Sequence, residues 1–284
     1  MRIYCGRSIL IPMHPEYIHL GNLSVDPMTL ALGIGVILSV LFAGVLLKGI
    51  GVSFNYCIVL FALGSAAAYF GAKGAYALLH PESVERGRIE FFLQGLSGSS
   101  VIGALPLVLL STILLLHRRS LILEGLDRLA PALLVLVAWG RIGCLADGCC
   151  FGKPSKAPFW MVFDSRSPAG KAFPLIPLYP TQLVEAINAA IAAAFCLFLL
   201  QKKVPAGTVF ASSLLLYGAD RFLVDFLRFY PGTDLLGTLH GYAVPKSQPF
   251  ALAIVFSGIL LLVWTIKRGA NFAVALWPNQ EAQG

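Results

Sequence analysis

Seven apolar runs, most of them long enough to cross a bilayer, constrain this chain more than any other feature. A hydrocarbon core near 30 Å thick takes about 20 residues of helix at about 1.5 Å per residue. Residues 28–47 and 54–79 meet that length directly. The third run, 101–116, follows a broken segment, 91–100, whose Gly95, Ser97, Gly98, Ser99 and Ser100 mark either close helix packing or a re-entrant approach to a cavity. The fourth opens at Asp127 with Ala130-Pro131 early in its helix and runs into the glycine-rich stretch at 140–152. The fifth is 183–200, the sixth begins near Gly207 and keeps its register through Phe229, and the seventh is 249–266. The expected fold is an all-α integral membrane protein of about seven transmembrane helices, spread over residues 28–268.

Composition agrees, with 57% hydrophobic and only 12% charged residues, against about 25% charged in soluble domains. The net charge of +7 belongs to topology or to anionic headgroups in such a chain. No spacing typical of an RNA- or DNA-binding module accompanies it, so the bilayer, and not nucleic acid, is the expected partner.

Outside the runs, residues 1–27 hold a short apolar patch at 9–13 and no small-residue cleavage site, so an extramembranous arm is expected and not a signal peptide. Residues 153–181 carry prolines at 154, 158, 168, 174, 177 and 180 around a β-compatible island at 159–163. These predict a small cap with a short β-hairpin. Residues 269–284 form a tail. Lys48, the group Arg118, Arg119 and Arg128, the pair Lys202 and Lys203, and the pair Lys267 and Arg268 all fall on one side of a seven-span chain. That side is expected to be cytoplasmic, placing the arm, the glycine-rich stretch and the cap outside.

Ionisable groups near membrane depth are the candidates for function. Arg141 and Asp147 lie among Gly140, Gly143, Gly148 and Gly152, where the backbone can approach a ligand; the alternative is a helix end with a snorkelling arginine. Glu185, one turn inside the fifth span, either answers the helix dipole or belongs to a site. Tyr217, Arg221, Asp225 and Arg228 are spaced by four, four and three residues, one face of a helix. Either Arg221 and Asp225 satisfy each other, or the surplus of arginine, joined by Arg141, receives a phosphate through its planar fork of donors. Cys57 and Cys196 sit in apolar runs and are expected to be inert. Cys144, Cys149 and Cys150 lack the paired spacing of structural zinc sites and have no histidine nearby in sequence, so they are expected to shape their loop, without metal or cofactor. In an oxidising compartment a Cys144 to Cys149 bridge is easier than a vicinal one.

Several of these residues fall into a recognisable order. Asp127-x-x-Ala130-Pro131, Gly140-Arg141-Ile142-Gly143, Asp147-Gly148 and Gly152 resemble the signature of the bacterial prolipoprotein diacylglyceryl transferases. Pro180-Thr181-Gln182-Leu183-x-Glu185 resembles that family's Pro-Ser-Gln-Leu-x-Glu. Tyr217-Gly218-x-x-Arg221-Phe222-x-x-Asp225-Phe226-x-Arg228 resembles its Tyr-Gly-x-x-Arg-Phe-x-x-Glu-Phe-x-Arg, and Ser247-Gln248 its Gly-Gln. The resemblance implies a seven-span inner-membrane enzyme that moves the diacylglyceryl group of phosphatidylglycerol onto the lipobox cysteine at a prolipoprotein signal peptide. Arg141 and Arg221 then fall on the family's essential arginines. Gly140, Gly143, Asp147, Gly148, Gly152, Gln182, Glu185, Tyr217, Asp225 and Arg228 would bind substrate.

Departures are specific. Cys144 stands where the family has asparagine, Asp147-Gly148-Cys149 where it has Asn-Gly-Glu, and Gly98-Ser99-Ser100 near its His-Gly-Gly, so the histidine base does not carry over. The tyrosine at the head of the first span is also missing. A silent or repurposed member that binds lipid or lipoprotein is the alternative, and a small-solute transporter, which would call for internal repeats, is a third.

Overall fold

The computed structural model describes residues 9–10, 18–20, 23–79, 101–117, 121–155, 160–202, 204–231, 235–239 and 242–276. The helices are α1 (Pro27–Lys48), α2 (Phe54–Leu79), α3 (Val101–His117), α4 (Ile122–Asp147), α5 (Pro168–Ala172), α6 (Thr181–Gln201), α7 (Thr208–Val224) and α8 (Ser247–Leu276). Every expected span therefore has its helix. Five are long and apolar enough to cross a membrane, namely α1, α2, α4, α6 and α8, while α3 and α7 have 17 residues each. The protein is a mostly helical, multi-pass membrane protein. The broken segment at 91–100, with Gly98-Ser99-Ser100, lies outside the described residues, as do most of the arm and residues 277–284.

Three boundaries differ from expectation. Helix α4 begins at Ile122, so Pro131 is interior and not in the first turn. Its ring removes the hydrogen bond to the carbonyl four residues back. Helix α7 stops at Val224, and α8 continues to Leu276, well past the expected end of the seventh span.

The chain divides into two compact units, residues 42–126 and the remainder. In the smaller unit α2 and α3 pack along each other, and the Tyr56 hydroxyl donates to the Leu115 carbonyl at 2.6 Å.

In the larger unit α7 packs on both α6 and α8. Gly218 of α7 lies against Val255, and Gly258 of α8 lies against Leu215, so the α7 and α8 backbones approach closely. Ala130 and Leu134 of α4, Ala192, Ala193 and Cys196 of α6, and Val209 of α7 form a buried cluster of small and branched side chains. Asp127 ties α4 to the head of α7: its carboxylate accepts from the Gly207 and Phe210 N–H groups, both at 2.7 Å. Those two donors are among the orphans every helix start leaves.

The cap at 153–181 has its own core of Leu145, Met161, Phe163, Ala169 and Leu178, against which Phe151 and Phe173 pack. Within it Ser167 caps α5 by accepting from the Gly170 N–H at 3.0 Å. Among the described residues of the cap no hairpin is formed. Strand β4 (Met161–Val162) instead pairs parallel with β1 (Ile9–Leu10) of the arm, and Met161 bridges antiparallel to Leu178. Hairpins occur elsewhere: β2 (Ile18–Leu20) with β3 (Leu23–Val25), and β5 (Leu235–Leu239) with β6 (Tyr242–Pro245), the latter between α7 and α8.

Candidate active site

Glu185 is the centre of the ionisable cluster. Its side chain is 1% exposed, and Oε1 receives Arg141 Nη2 of α4 at 3.2 Å and Arg221 Nη1 of α7. Its other oxygen, Oε2, is buried without a hydrogen-bond partner among the described residues. Two helices, α4 and α7, thus place guanidiniums on a carboxylate carried by a third, α6. In these contacts Glu185 faces two guanidiniums.

Arg221 reaches further, donating through Nη2 to Asp225 Oδ1 at 3.0 Å and lying 3.4 Å from the Tyr230 hydroxyl. Asp225 is fully buried. Tyr230 donates to its Oδ1 at 2.5 Å and Ser247 donates to its Oδ2 at 2.6 Å. Burial first, and then the hydrogen bond to Asp225, hold the Tyr230 hydroxyl above the usual tyrosine range and keep it a donor.

The expected common face of Tyr217, Arg221, Asp225 and Arg228 holds only in part. Asp225 is the C-cap of α7, and the chain then turns, so Arg228 leaves the helix and bridges antiparallel to Gly152. Its guanidinium lies 5.3 Å from the Tyr230 ring centre and pairs with no carboxylate among the described residues. Tyr217 packs on the small-residue cluster of α4, α6 and α7.

The glycine-rich stretch divides into two kinds of position. Gly140 and Gly143 are helical; Gly143 lies against Met28 and Ala31 of α1, and nothing crowds Gly140. Gly148 has φ +72°, and a Cβ there would stand 2.7 Å from the Ser167 Cβ, so the turn out of α4 requires glycine. A Cβ at Gly152 would stand 2.6 Å from the Tyr179 carbonyl oxygen. These glycines serve packing and turning. Asp147 is half-buried at the last turn of α4.

Gln182 binds the loop itself: its Nε2 donates to the Cys149 carbonyl at 2.7 Å, and the Thr181 hydroxyl donates to the Cys150 carbonyl at 3.0 Å. The Gln182 Oε1 is buried and unpartnered among the described residues. Lys153 donates to the Phe226 carbonyl at 3.0 Å, drawing the cap's first residue to the turn after α7. Tyr230, Ser247, Thr181 and Lys153 are the participants that sequence spacing did not single out as site residues. Ser247, in the Ser-Gln pair, and Thr181, in Pro180-Thr181-Gln182, carried a signal.

Beside the cluster, α6 and α7 form an apolar groove of about 490 Å³ lined by Val184, Ile191, Phe195, Leu216 and Leu223 among others. Its polar mark is Asn188, which donates to Asp220 at 2.6 Å.

The helices that converge on Glu185 are those that carry the motifs. A family profile described as prolipoprotein diacylglyceryl transferase matches residues 15–264. The chain belongs to that family. A Clostridium perfringens protein named phosphatidylglycerol–prolipoprotein diacylglyceryl transferase 2 is 34% identical over 168 residues, covering 58% of this chain and 59% of its own. A Bordetella avium relative of the same general name is 30% identical over 201 residues, 70% of each chain. One from Burkholderia mallei is 27% identical across 90% of this chain and 97% of its own. The match to the Clostridium perfringens and Clostridium tetani relatives spans only 59% and 43% of their lengths.

Proposed function

We propose that this family member is a phosphatidylglycerol:prolipoprotein diacylglyceryl transferase acting from a bacterial inner membrane. The observation that carries the proposal is the convergence of Arg141 and Arg221 on Glu185 from separate helices. In the reaction a lipobox cysteine sulfur bonds to a glyceryl carbon, the carbon–oxygen bond to phosphate breaks, and glycerol phosphate leaves with the electron pair. The thiol loses its proton as the phosphodiester becomes a monoester. The leaving group therefore gains negative charge, which preorganised donors must meet.

The cluster suits that demand. Glu185 holds Arg141 and Arg221, Asp225 holds Arg221 as well, Asp220 acts on both arginines from α7, and Arg228 pairs with no carboxylate among the described residues. Arg141 uses Nη2 on Glu185, which leaves the rest of its fork for a phosphate. We assign Glu185 the positioning of both arginines, and Asp225, Tyr230 and Ser247 the orientation of Arg221. The groove between α6 and α7 offers apolar walls of the kind an acyl chain needs. Gln182 and the glycine turns at 148 and 152 shape the loop over which the acceptor peptide passes. In this reading the arm at 1–27 and the cap at 153–181 face outside and the tail at 269–284 faces the cytoplasm.

The test is transfer of a labelled diacylglyceryl group from phosphatidylglycerol to a lipobox peptide by purified protein. Arg141→Ala and Arg221→Ala should each slow transfer roughly a hundred- to a thousand-fold, the loss typical of a removed stabilising donor. Lysine at either position should not restore the rate, because a point charge cannot reproduce a bidentate fork. Near-normal turnover by both alanine variants, with folding intact, would remove the site from this cluster.

A further inference from the structure

The three cysteines that depart from the family pattern are brought together by the fold. The Sγ atoms of Cys144, Cys149 and Cys150 all lie within 4.8 Å of one another. Cys144 is in the last turn of α4, and the chain then reverses through Gly148 at φ +72° and Cys150 at φ +58°. A side chain at positive φ is uncommon and unfavourable outside glycine. Here it turns the third sulfur back towards the first two. The loop is held in that form by Gln182 and Thr181, whose side chains bind the carbonyls of Cys149 and Cys150. No disulfide joins the three: each is a free thiol.

We propose that Cys144, Cys149 and Cys150 form a trithiolate site for a soft monovalent cation of the Cu(I) class. Thiolate sulfur selects soft ions over the hard cations that carboxylates prefer. With metal–sulfur bonds of about 2.3 Å, three sulfurs around one ion stand about 4 Å apart, which small rotations of side chains already this close supply. Structural zinc takes four ligands; no fourth histidine, cysteine or carboxylate joins the group among the described residues. Three-coordinate sulfur ligation is what Cu(I) accepts. The charge also balances locally, since binding releases three thiol protons and leaves a dianionic complex beside cations. Arg228 and Arg141 lie close enough to Cys150 to act on its charge. Those two arginines are the counter-charges. The sequence spacing gave no reason to expect this, because the sulfurs meet only through the turn and not through a paired motif.

The site shares Arg141 and Arg228 with the proposed transferase cluster, but its test needs no turnover. Full-length protein, purified anaerobically with its thiols reduced, is titrated with Cu(I) in competition with a chromogenic chelator. The expected result is one ion per chain with a near-ultraviolet thiolate-to-metal charge-transfer band. Cys149→Ser and Cys150→Ser should each weaken affinity more than about a hundredfold, since losing a direct ligand exceeds the loss of an outer partner. The triple serine variant should lose the band, and the two single variants suffice if the triple one does not fold. Uptake no greater than in these variants overturns the proposal. So does one Zn(II) per chain without Cu(I), or a Cys144–Cys149 disulfide in protein alkylated directly from aerated cells.

Discussion

Glu185 shows how one buried carboxylate can organise a site without doing its chemistry. It is 1% exposed, and the two arginines against it are 16% and 12% exposed, so all three groups have left water behind. Removing the carboxylate strands two like charges near each other. Glu185→Ala should therefore destabilise the protein by about 3–5 kcal/mol, the range for breaking a buried ion pair from one side. Glu185→Gln should lose less, because it still accepts a hydrogen bond. Thermal unfolding of the detergent-solubilised variants checks this, and equal loss in both would show that volume and not charge is what matters. Arg141, Glu185, Arg221 and Asp225 were all legible in the sequence, because ionisable residues inside apolar runs have few reasons to be there. Tyr230 was not, and Ser247 was only through its place beside Gln248. They reach Asp225 only because the chain turns after Val224 and returns at the head of α8, and neither residue is unusual in its own segment. Arg228 was assigned to the helix face because its spacing continues the pattern, yet the pattern outlasts the helix by several residues.

At the scale of elements, apolar run length was enough to find the seven helices of 17 residues or more among the described residues, since a bilayer sets the length of an apolar run. Helix ends were harder to see. The start of α4 lies several residues before the Asp127 motif, and the end of α7 lies where Asp225 is pulled into the hydrogen bonds of Tyr230 and Ser247. The hairpins were misplaced for a related reason. The island at 159–163 has strand composition, but its partners lie in the arm and at Leu178, so no local turn signal could announce them. Asp127, read only as part of a family motif, has a definite mechanical role as the side-chain cap of α7. Asp127→Ala should cost about 1–2 kcal/mol, as for other lost caps, with Asp127→Asn recovering part of it. Hydrogen exchange at the Gly207 and Phe210 amides should rise in the alanine variant while α8 stays protected. Unchanged exchange at those amides would mean that water replaces the cap without cost.

Across the whole chain, charge at the loops carries information that no helix carries. The basic groups at Lys48, Arg128, Lys202 and Lys267-Arg268 alternate with apolar runs so that all share one side if seven spans are crossed. An odd number of crossings then puts the two ends on opposite faces, and the positive side is held in the cytoplasm. The cap, with Cys149, Cys150 and Gly152, and the outer ends of α4 and α7, which carry Arg141 and Arg221, would then lie where anionic phospholipid presents its phosphate to an exported cysteine. Orientation is thus a condition for the proposed chemistry and not a detail. Lys171, exposed on α5, reports on the cap, and Gln283 reports on the tail. With the background from native thiols measured in the parent chain, Lys171→Cys should react with a membrane-impermeant maleimide in spheroplasts. Gln283→Cys should react only after the membrane is opened. The opposite pattern would place the arginine cluster on the cytoplasmic face, where a translocated lipobox cysteine could not reach it, and the transferase proposal would fall with the topology.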